Sequence, residues 1–145
     1  MSFNLEQANS GFASYTSAGL AIGTNSGTFK TTNTLTYTNN GVFKSKSATD
    51  NLAFSSGHTA LGNNQACLFG VWIDTSGNVT TSQGPIVAAG DPCPVPSAPA
   101  ANLSFVGYIK VSTGAAQTFT PGTSVLGTGN TATYANCARV PGTAQ

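Results

Sequence analysis

The stretch that decides the fold is residues 65–84, QACLFGVWIDTSGNVTTSQG. Its first arm, residues 66–73, is apolar at almost every position, and side chains of an extended strand alternate between two faces. This alternation places Cys67, Phe69, Val71 and Ile73 on one face and Leu68 and Trp72 on the other. We therefore predict a buried strand that other parts of the chain cover on both sides.

A tight loop follows this strand. The loop, DTSGN at residues 74–78, contains Gly and Asn, which tolerate a positive φ, and Asp, which can accept hydrogen bonds from its own backbone. The second arm, residues 79–83, is polar and rich in Thr. The pattern predicts a β-hairpin whose buried first strand pairs with a second strand nearer to solvent or to a partner.

The composition favours a structural role. The chain has 145 residues, enough for one domain with a real core, but only 6% of them are charged, against roughly 25% in typical proteins. So few charges protect a free subunit poorly against association, which suits a protein of a larger assembly. The alternative is a Thr- and Asn-rich β-protein that hydrates through hydroxyls and amides.

The basic residues do not form a nucleic-acid-binding stripe. The net charge is +1, and the basic side chains are scattered along the chain as Lys30, Lys44, Lys46, Lys110 and Arg139. A phosphate backbone is recognised by clustered Lys and Arg. We therefore expect no nucleic acid partner.

Targeting and cysteine patterns point to a cytosolic origin. The first twelve residues, MSFNLEQANSGF, have neither a basic n-region nor a long apolar run, and no later stretch reaches 18 apolar residues. We expect synthesis in the cytosol and no membrane span. Cys67, Cys93 and Cys137 form no CxxC pair, so neither a zinc site nor a disulfide framework is indicated. Cys67 is predicted to be a core thiol, and pairing of Cys93 with Cys137 is left open.

The chain divides into an arm and a body. Residues 1–27 are rich in Ser, Gly, Asn and Ala, and their large apolar residues follow no steady period. We predict an extended N-terminal arm that lies over its own body, a neighbouring subunit or a host surface, with a short helical turn around residues 5–8 as an option. Residues 28–145 are predicted to form a single β-domain.

A first hairpin is predicted around residues 39–41. Phe29, Leu35 and Tyr37 fall at odd positions and would share one strand face. Asn40-Gly41 favours a type I′ turn because both central residues of that turn need a positive φ. The chain would then return through residues 42–47, with one side at least partly wet.

The second core strand is predicted at residues 103–112, LSFVGYIKVS. Its alternation groups Leu103, Phe105, Gly107, Ile109 and Val111 on one face. The proline-rich segment before it, GDPCPVPSAP, reads as an extended connector that crosses between edges of the fold. Turns follow at residues 120–123 and 127–130, and a last strand at 131–137. Short strands at roughly ten-residue spacing predict an all-β fold, a small antiparallel β-sandwich or barrel.

Catalytic constellations are weak in this sequence. Ser56 and His58 would share a strand face, and Asp50, Asp74 or Asp91 could complete a triad, but no GxSxG elbow is present. Paired carboxylates for glycoside chemistry would have to come from these Asp residues and Glu6. We predict no enzyme, and a small hydrolase around Ser56 and His58 remains the competing hypothesis.

No cofactor or metal is predicted either. One His and three dispersed Cys give no ligand spacing, and DTSGN lacks the further carboxylates of a calcium loop. No Gly-rich loop opens a helix, so nucleotide phosphates have no cradle. Trp72 could stack on a sugar, but it stands in the most apolar strand, where core packing is the better interpretation.

Three pieces in order carry a family resemblance: GVFKSKSATDN in the first hairpin, GVWIDTSGNV in the central one and GYIKVSTGAAQTFTPGT in the second core strand. Over roughly residues 23–137 the chain resembles small virion proteins of tailed bacteriophages, of the capsid-decoration, cement or head-fibre kind. The resemblance implies a β-rich subunit, often trimeric, that docks on the outside of the head and bridges capsomers.

From this resemblance we expect a homo-oligomer whose partner is the major capsid protein, located on the outer surface of the capsid in the virion after synthesis in the host bacterial cytoplasm. Many weak contacts repeated over a shell would act together through avidity. Closed symmetry is expected, and the trimer follows from the analogy alone. The alternative is a receptor- or glycan-binding fibre or tail-tip module.

Overall fold

The computed structural model describes residues 11–137 and 141–145, and it is an all-β sandwich of three antiparallel sheets. No helix occurs among these residues. The strands of the described part are β1 Ala13–Ser14, β2 Leu20–Ile22, β3 Thr28–Thr31, β4 Leu35–Asn39, β5 Val42–Lys46, β6 Thr49–Ala53, β7 Gln65–Ile73, β8 Val79–Gln83, β9 Val87–Ala88, β10 Ser104–Thr113 and β11 Asn130–Asn136. The predicted fold class is confirmed as a sandwich.

The structure has one five-stranded sheet and two three-stranded sheets. The central sheet has the order β11-β10-β7-β8, with β9 paired to the start of β7. The sheet that we call the hairpin sheet has the order β1-β4-β5, and a third sheet has the order β2-β3-β6. The predicted central hairpin is confirmed, because β7 and β8 pair antiparallel from Phe69 with Gln83 to Ile73 with Val79.

One hydrophobic core joins all three sheets. The inner face of β7 supplies Cys67, Phe69, Val71 and Ile73, as the alternation predicts, and all four are fully buried. The rings of Phe54 and Phe119 pack edge-on against Phe69, and Phe29 of the third sheet packs edge-on against Phe54. A sheet buried in this way needs cover from other elements, and two smaller sheets supply it on this side.

The proline connector covers the other face of the central sheet. Leu68 is fully buried there and packs with Ala66 and Cys93. Pro96 and the backbone of Pro94 approach so closely that a Cβ at Gly70 or Gly84 would crowd them. The predicted two-sided burial of β7 is therefore confirmed, and the connector itself is the second cover.

Both predicted hairpin turns have the expected backbone. Asn40 and Gly41 have φ of 51° and 73°, as a type I′ turn requires. In the loop after β7, Gly77 has a φ of 84°, and Asp74 Oδ1 accepts hydrogen bonds from the backbone N–H groups of Ser76 at 2.8 Å and Asn78 at 2.9 Å. Local residue chemistry was sufficient to predict both loops.

The single strand predicted from Phe29 to Tyr37 is wrong, because the chain divides into β3 and β4 in different sheets. At the break the N–H groups of Thr32 and Asn33 donate to the carbonyl oxygen of Ala18, at 3.0 and 3.1 Å. These two N–H groups therefore do not take part in the strand pairing of β3 or β4, and the strand is interrupted there. Phe29, Leu35 and Tyr37 are still buried in the same core.

The predicted face of Phe105 is also wrong. The register of β10 against β7 shifts between Phe105 and Gly107, so Val106 is an extra residue. Such a bulge reverses the alternation. Phe105 consequently packs on Trp72 on the outer face, with ring centroids 4.9 Å apart, while Val106 joins Ile109 and Val111 in the main core.

Residues 11–27 of the predicted arm lie over their own body, one of the three expected positions. Ser14 Oγ donates to the carbonyl oxygen of Phe105 at 2.6 Å, and the Leu20 N–H donates to Asn136 Oδ1 at 3.0 Å. Ala18 and Leu20 belong to the core. The rest of the arm, residues 1–10 with the optional helical turn, lies outside the described residues.

The last strand, predicted at residues 131–137, is β11, Asn130–Asn136, and so begins and ends one residue earlier than predicted.

Candidate functional site

Three exposed apolar side chains lie on the hairpin sheet. Phe43 is 65% exposed, Val42 52% and Tyr15 43%. We call these three residues the aromatic edge. Tyr15 and Phe43 stack on one face of this sheet, and strand alternation places Val42 on the other face. Adjoining apolar side chains such as these two rings mark contact sites more often than single ones do.

The topology of the hairpin sheet creates this exposure. β5 is its last strand and pairs, among the described residues, only with β4, from Leu35 with Lys46 to Asn39 with Val42. Its outer row of backbone groups is therefore open, which is the usual template for pairing with another chain. Sequence reasoning found a partly wet side here but missed Phe43 as a contact residue; the available signal was a Phe between polar residues in a strand beside a tight turn.

The aromatic edge is held in a fixed arrangement. The rings of Tyr15 and Phe43 stack with centroids 5.6 Å apart and an interplanar angle of 26°. Between them on β4 lies Thr38, whose Oγ1 is 3.3 Å from the Tyr15 hydroxyl oxygen. Because the rings support each other, little side-chain entropy remains to be lost when a partner binds.

The charge beside this surface is positive. Along β5, Lys44 and Lys46 alternate with Phe43 and Ser45, so the lysines and the phenylalanine project from opposite faces. Two of the described acidic residues are engaged elsewhere: Asp50 with Thr24, and Asp74 within its own loop. A segment that pairs with β5 as an added strand would therefore meet apolar side chains on one face and lysines on the other.

A second candidate is a groove along β8, of about 570 Å³. It contains both members of the predicted Ser56 and His58 pair, together with Asp74. The hydrogen bond of His58 goes elsewhere, however, because its Nε2 lies 2.8 Å from Thr81 Oγ1. Asp74 accepts bonds from Ser76 and Asn78. The described residues therefore show no Ser, His and Asp relay in this groove.

The groove has one unsatisfied polar group. Thr80 Oγ1 is buried without a hydrogen-bond partner and belongs to a groove-lining residue. A buried hydroxyl without a partner costs roughly 1–3 kcal/mol. Five of the lining residues are Ser or Thr, and most of the exposed lining is apolar.

His58 makes stability depend on pH. Burial beside Phe69, with ring centroids 5.4 Å apart, lowers the pKa of His58 from its ordinary 6.5. Because the folded pKa is lowered, the stability contributed by the neutral ring is present above pH 6.5 and is lost as pH falls through the lowered pKa. We expect a lower free energy of unfolding at about pH 5 than at about pH 7.5.

The measurement is guanidinium unfolding at both pH values, with His58→Gln as the comparison. This variant should show a smaller difference in the free energy of unfolding between the two pH values.

The acidic residues Asp50 and Asp74 do not titrate in this range. Hydrogen bonds from Thr24 and Asn51 lower the pKa of Asp50. Burial raises the pKa of Asp74, but hydrogen bonds from Asn78, Ser76 and Gly77 outweigh burial and lower it. Both carboxylates therefore stay ionised in this window, and an equal pH difference in wild type and variant would contradict the assignment to His58.

Trp72 has a packing role, as the sequence analysis favoured. Its side chain is only 5% exposed, its Nε1 donates to Ser82 Oγ at 2.8 Å, and its ring packs on Phe105. A groove of about 440 Å³ passes Trp72 between the connector and residues 141–144. Because it is almost fully buried, Trp72 offers a sugar little surface for stacking.

The three thiols are free, and they differ in access. Cys67 and Cys93 are buried, Cys137 is partly exposed, and burial raises the pKa of Cys67 to about 11. No group of three or more His, Cys, Asp or Glu residues that could hold a metal is found within residues 11–137 and 141–145.

We expect a thiol reagent to label Cys137 first in the folded protein, because Cys67 and Cys93 are protected by burial. Mass spectrometry after alkylation in denaturant, without a reductant, should find all three cysteines modified. A mass two alkyl groups short would instead reveal a disulfide, and equal labelling rates in the native state would contradict the burial of Cys67 and Cys93.

Comparison with known proteins gives no relative: no family model, no curated protein and no solved structure matches this chain. In the part of the chain that the structure describes, no helix is both long and apolar enough to cross a membrane.

Proposed function

We propose that this chain is a structural subunit of a tailed-bacteriophage particle, a decoration or cement protein that binds the outside of the head and bridges capsomers. It acts through shape and repetition rather than through catalysis. Its partners are the major capsid protein and further copies of itself, and the trimer expected from the family resemblance is part of this proposal.

The observation that carries the proposal is the aromatic edge. A stacked pair of aromatic rings and an exposed Val lie on the hairpin sheet, whose strand β5 pairs only with β4 among the described residues, in a protein with only 6% charged residues. Aromatic side chains are enriched in protein interfaces, whereas charged ones are depleted at their centres. One such contact is small, but hundreds of copies on a shell would add their effects through avidity.

The test uses heads of the phage that encodes the chain, prepared without it. Added protein should sediment with the heads and raise the temperature at which they release DNA. Phe43→Ser should reduce the bound amount, whereas Val125→Ser, a substitution at an exposed apolar residue outside the aromatic edge, should bind like the wild type. Heads that bind no protein and break at an unchanged temperature would refute the proposal.

A receptor- or glycan-binding module is the second candidate, and the groove along β8 favours it. Five of the residues that line the groove are Ser or Thr, and one of them, Thr80, has a buried Oγ1 without a hydrogen-bond partner. A glycan array probed with the purified protein tests this candidate. Binding that is lost in Thr80→Val would support it, and an array without signal would count against it.

A further inference from the structure

We propose that residues 1–10 of one copy pair with the open edge of β5 in a second copy, and that Phe3 and Leu5 then cover Phe43 of the aromatic edge. This inference rests on the proposed function, since it names the partner of the same surface. It is carried by three observations: where the described chain begins, how the residues of the two segments alternate, and how their charges match.

The described chain begins beside the turn that joins β4 to β5. The Gly11 carbonyl oxygen accepts a hydrogen bond from the Gly41 N–H at 3.1 Å, directly before Val42 and Phe43. The contact is so close that a Cβ at Gly11 would overlap the backbone of Gly41. Ten residues span at most about 33–36 Å when extended, which is enough to reach a copy packed against this hairpin.

The alternation of the two segments is complementary. In an extended conformation, Phe3 and Leu5 share one face, and Glu6 lies on the other. On β5, Phe43 and Ser45 share one face, and the two lysines lie on the other. Adding residues 1–10 as a strand can therefore place apolar residues beside Phe43 and, with the same register, the carboxylate beside the lysines.

The charges favour the same pairing. Glu6 is the only charged side chain of residues 1–10, and Lys44 and Lys46 are the only charged side chains of β5. Opposite charges on neighbouring strands of a sheet stabilise their pairing, and like charges destabilise it. A strand with one carboxylate is thus the matched partner for this edge.

A second copy fits this edge better than the same chain does. β1 pairs with β4 on the side of the hairpin sheet opposite to β5, so the described chain begins on the far side from the open edge. Pairing with its own β5 would require the segment to pass around the Asn40-Gly41 turn and reverse. The exchange can be reciprocal between two copies, or it can run from one copy to the next and form a ring where the rotation between copies closes.

Cross-linking tests the pairing directly. Gln7→Cys lies on the predicted face of Leu5, and Ser45→Cys lies beside Phe43, so neither change removes a contact named above. Both substitutions are made in the same full-length chain, which also carries Cys137→Ser. Two preparations of this variant with different tags are mixed and mildly oxidised. We expect a disulfide between the two tags on a denaturing gel, and loss of that product in Phe43→Ser.

A matched control uses Ala115→Cys in place of Ser45→Cys. Ala115 is exposed and follows the end of β10, whereas the hairpin turn lies near the start of β10, where Asn39 Nδ2 is 3.3 Å from Ser104 Oγ. A ten-residue strand separates the two positions by roughly 33 Å. The control pair should give little or no cross-linked product.

Charge reversal gives a second readout. Glu6→Lys should shift the mass measured by light scattering from oligomer toward monomer, and adding Lys44→Glu and Lys46→Glu to the same chain should restore the oligomer. If the double variant Gln7→Cys, Ser45→Cys forms only a disulfide within one chain, or if no tagged pair is linked, the inference is overturned.

These outcomes separate the inference from the proposed function. Copies that sediment with heads but give no cross-link between chains would refute the strand exchange and leave the capsid role standing. Copies that cross-link but do not bind heads would support the strand exchange and refute the capsid role.

Discussion

Phe69→Ala is expected to reduce the free energy of unfolding by about 3–5 kcal/mol. Phe69 lies on the inner face of β7, and its ring meets Phe54 edge-on at 5.0 Å and Phe119 at 6.2 Å. Truncation removes both contacts and leaves a cavity at the point where the three sheets share a core. Domains have a total stability of about 5–15 kcal/mol, so a large fraction would be lost.

Guanidinium unfolding followed by tryptophan fluorescence provides the measurement, since Trp72 stands three residues away on the same strand. Phe69→Leu keeps an apolar side chain in the site and should cost clearly less. Val125→Ala, at a position 38% exposed, should change stability by less than about 0.5 kcal/mol. A loss for Phe69→Ala as small as that of the surface variant would contradict the position of Phe69 in the core.

Gly107→Ala is expected to destabilise the protein by about 2–3 kcal/mol although it adds a single methyl group. A Cβ at this position would overlap the carbonyl oxygen of Ala135 and lie 2.8 Å from Leu20 Cδ1. Gly107 pairs with Val71 on one side and Asn136 on the other, in the middle of the central sheet. The Ala135 carbonyl belongs to the β11 backbone, so relief of the overlap requires the ladder between β10 and β11 to move.

Gly114→Ala is the matched control, because Gly114 directly follows the end of the same strand. A Cβ there meets only Gln117 Cγ, at 3.9 Å, and the backbone needs no positive φ. We expect an unchanged or slightly raised stability, since Ala loses less chain entropy on folding than Gly. Equal losses in the two variants would show that the effect at Gly107 does not come from crowding.

Local sequence was a good guide where neighbouring residues alone decide the structure. The Asn40-Gly41 turn and the Asp74 loop both rest on backbone preferences within a few residues, and both were predicted correctly. Interactions between distant segments were harder. Sequence alternation missed the bulge at Val106, because a bulge depends on how β10 pairs with β7. It also predicted β3 and β4 as one strand, because the carbonyl group that interrupts them belongs to Ala18, a residue distant in the sequence.

The candidate site was predicted less well than the fold. Phe43 and Val42 follow a recognisable turn, but whether a strand is covered or left at an edge depends on which segments reach it. Tyr15 reaches Phe43 only because β1 pairs with β4. The groove along β8 likewise combines residues 55–58 with residues 80–83 and 99–103, three segments far apart in the chain.

The sequence by itself determined that this chain forms an all-β protein around an apolar strand at residues 66–73, with tight turns at Asn40-Gly41 and Asp74–Asn78, because alternation and turn chemistry act over a few residues. Tertiary structure alone decided that the proline connector covers one face of that strand and that β5 is left open beside Phe43. The physical reason is that burial depends on which distant segments compete for the same apolar surface, and that competition is settled only when the sheets pack together.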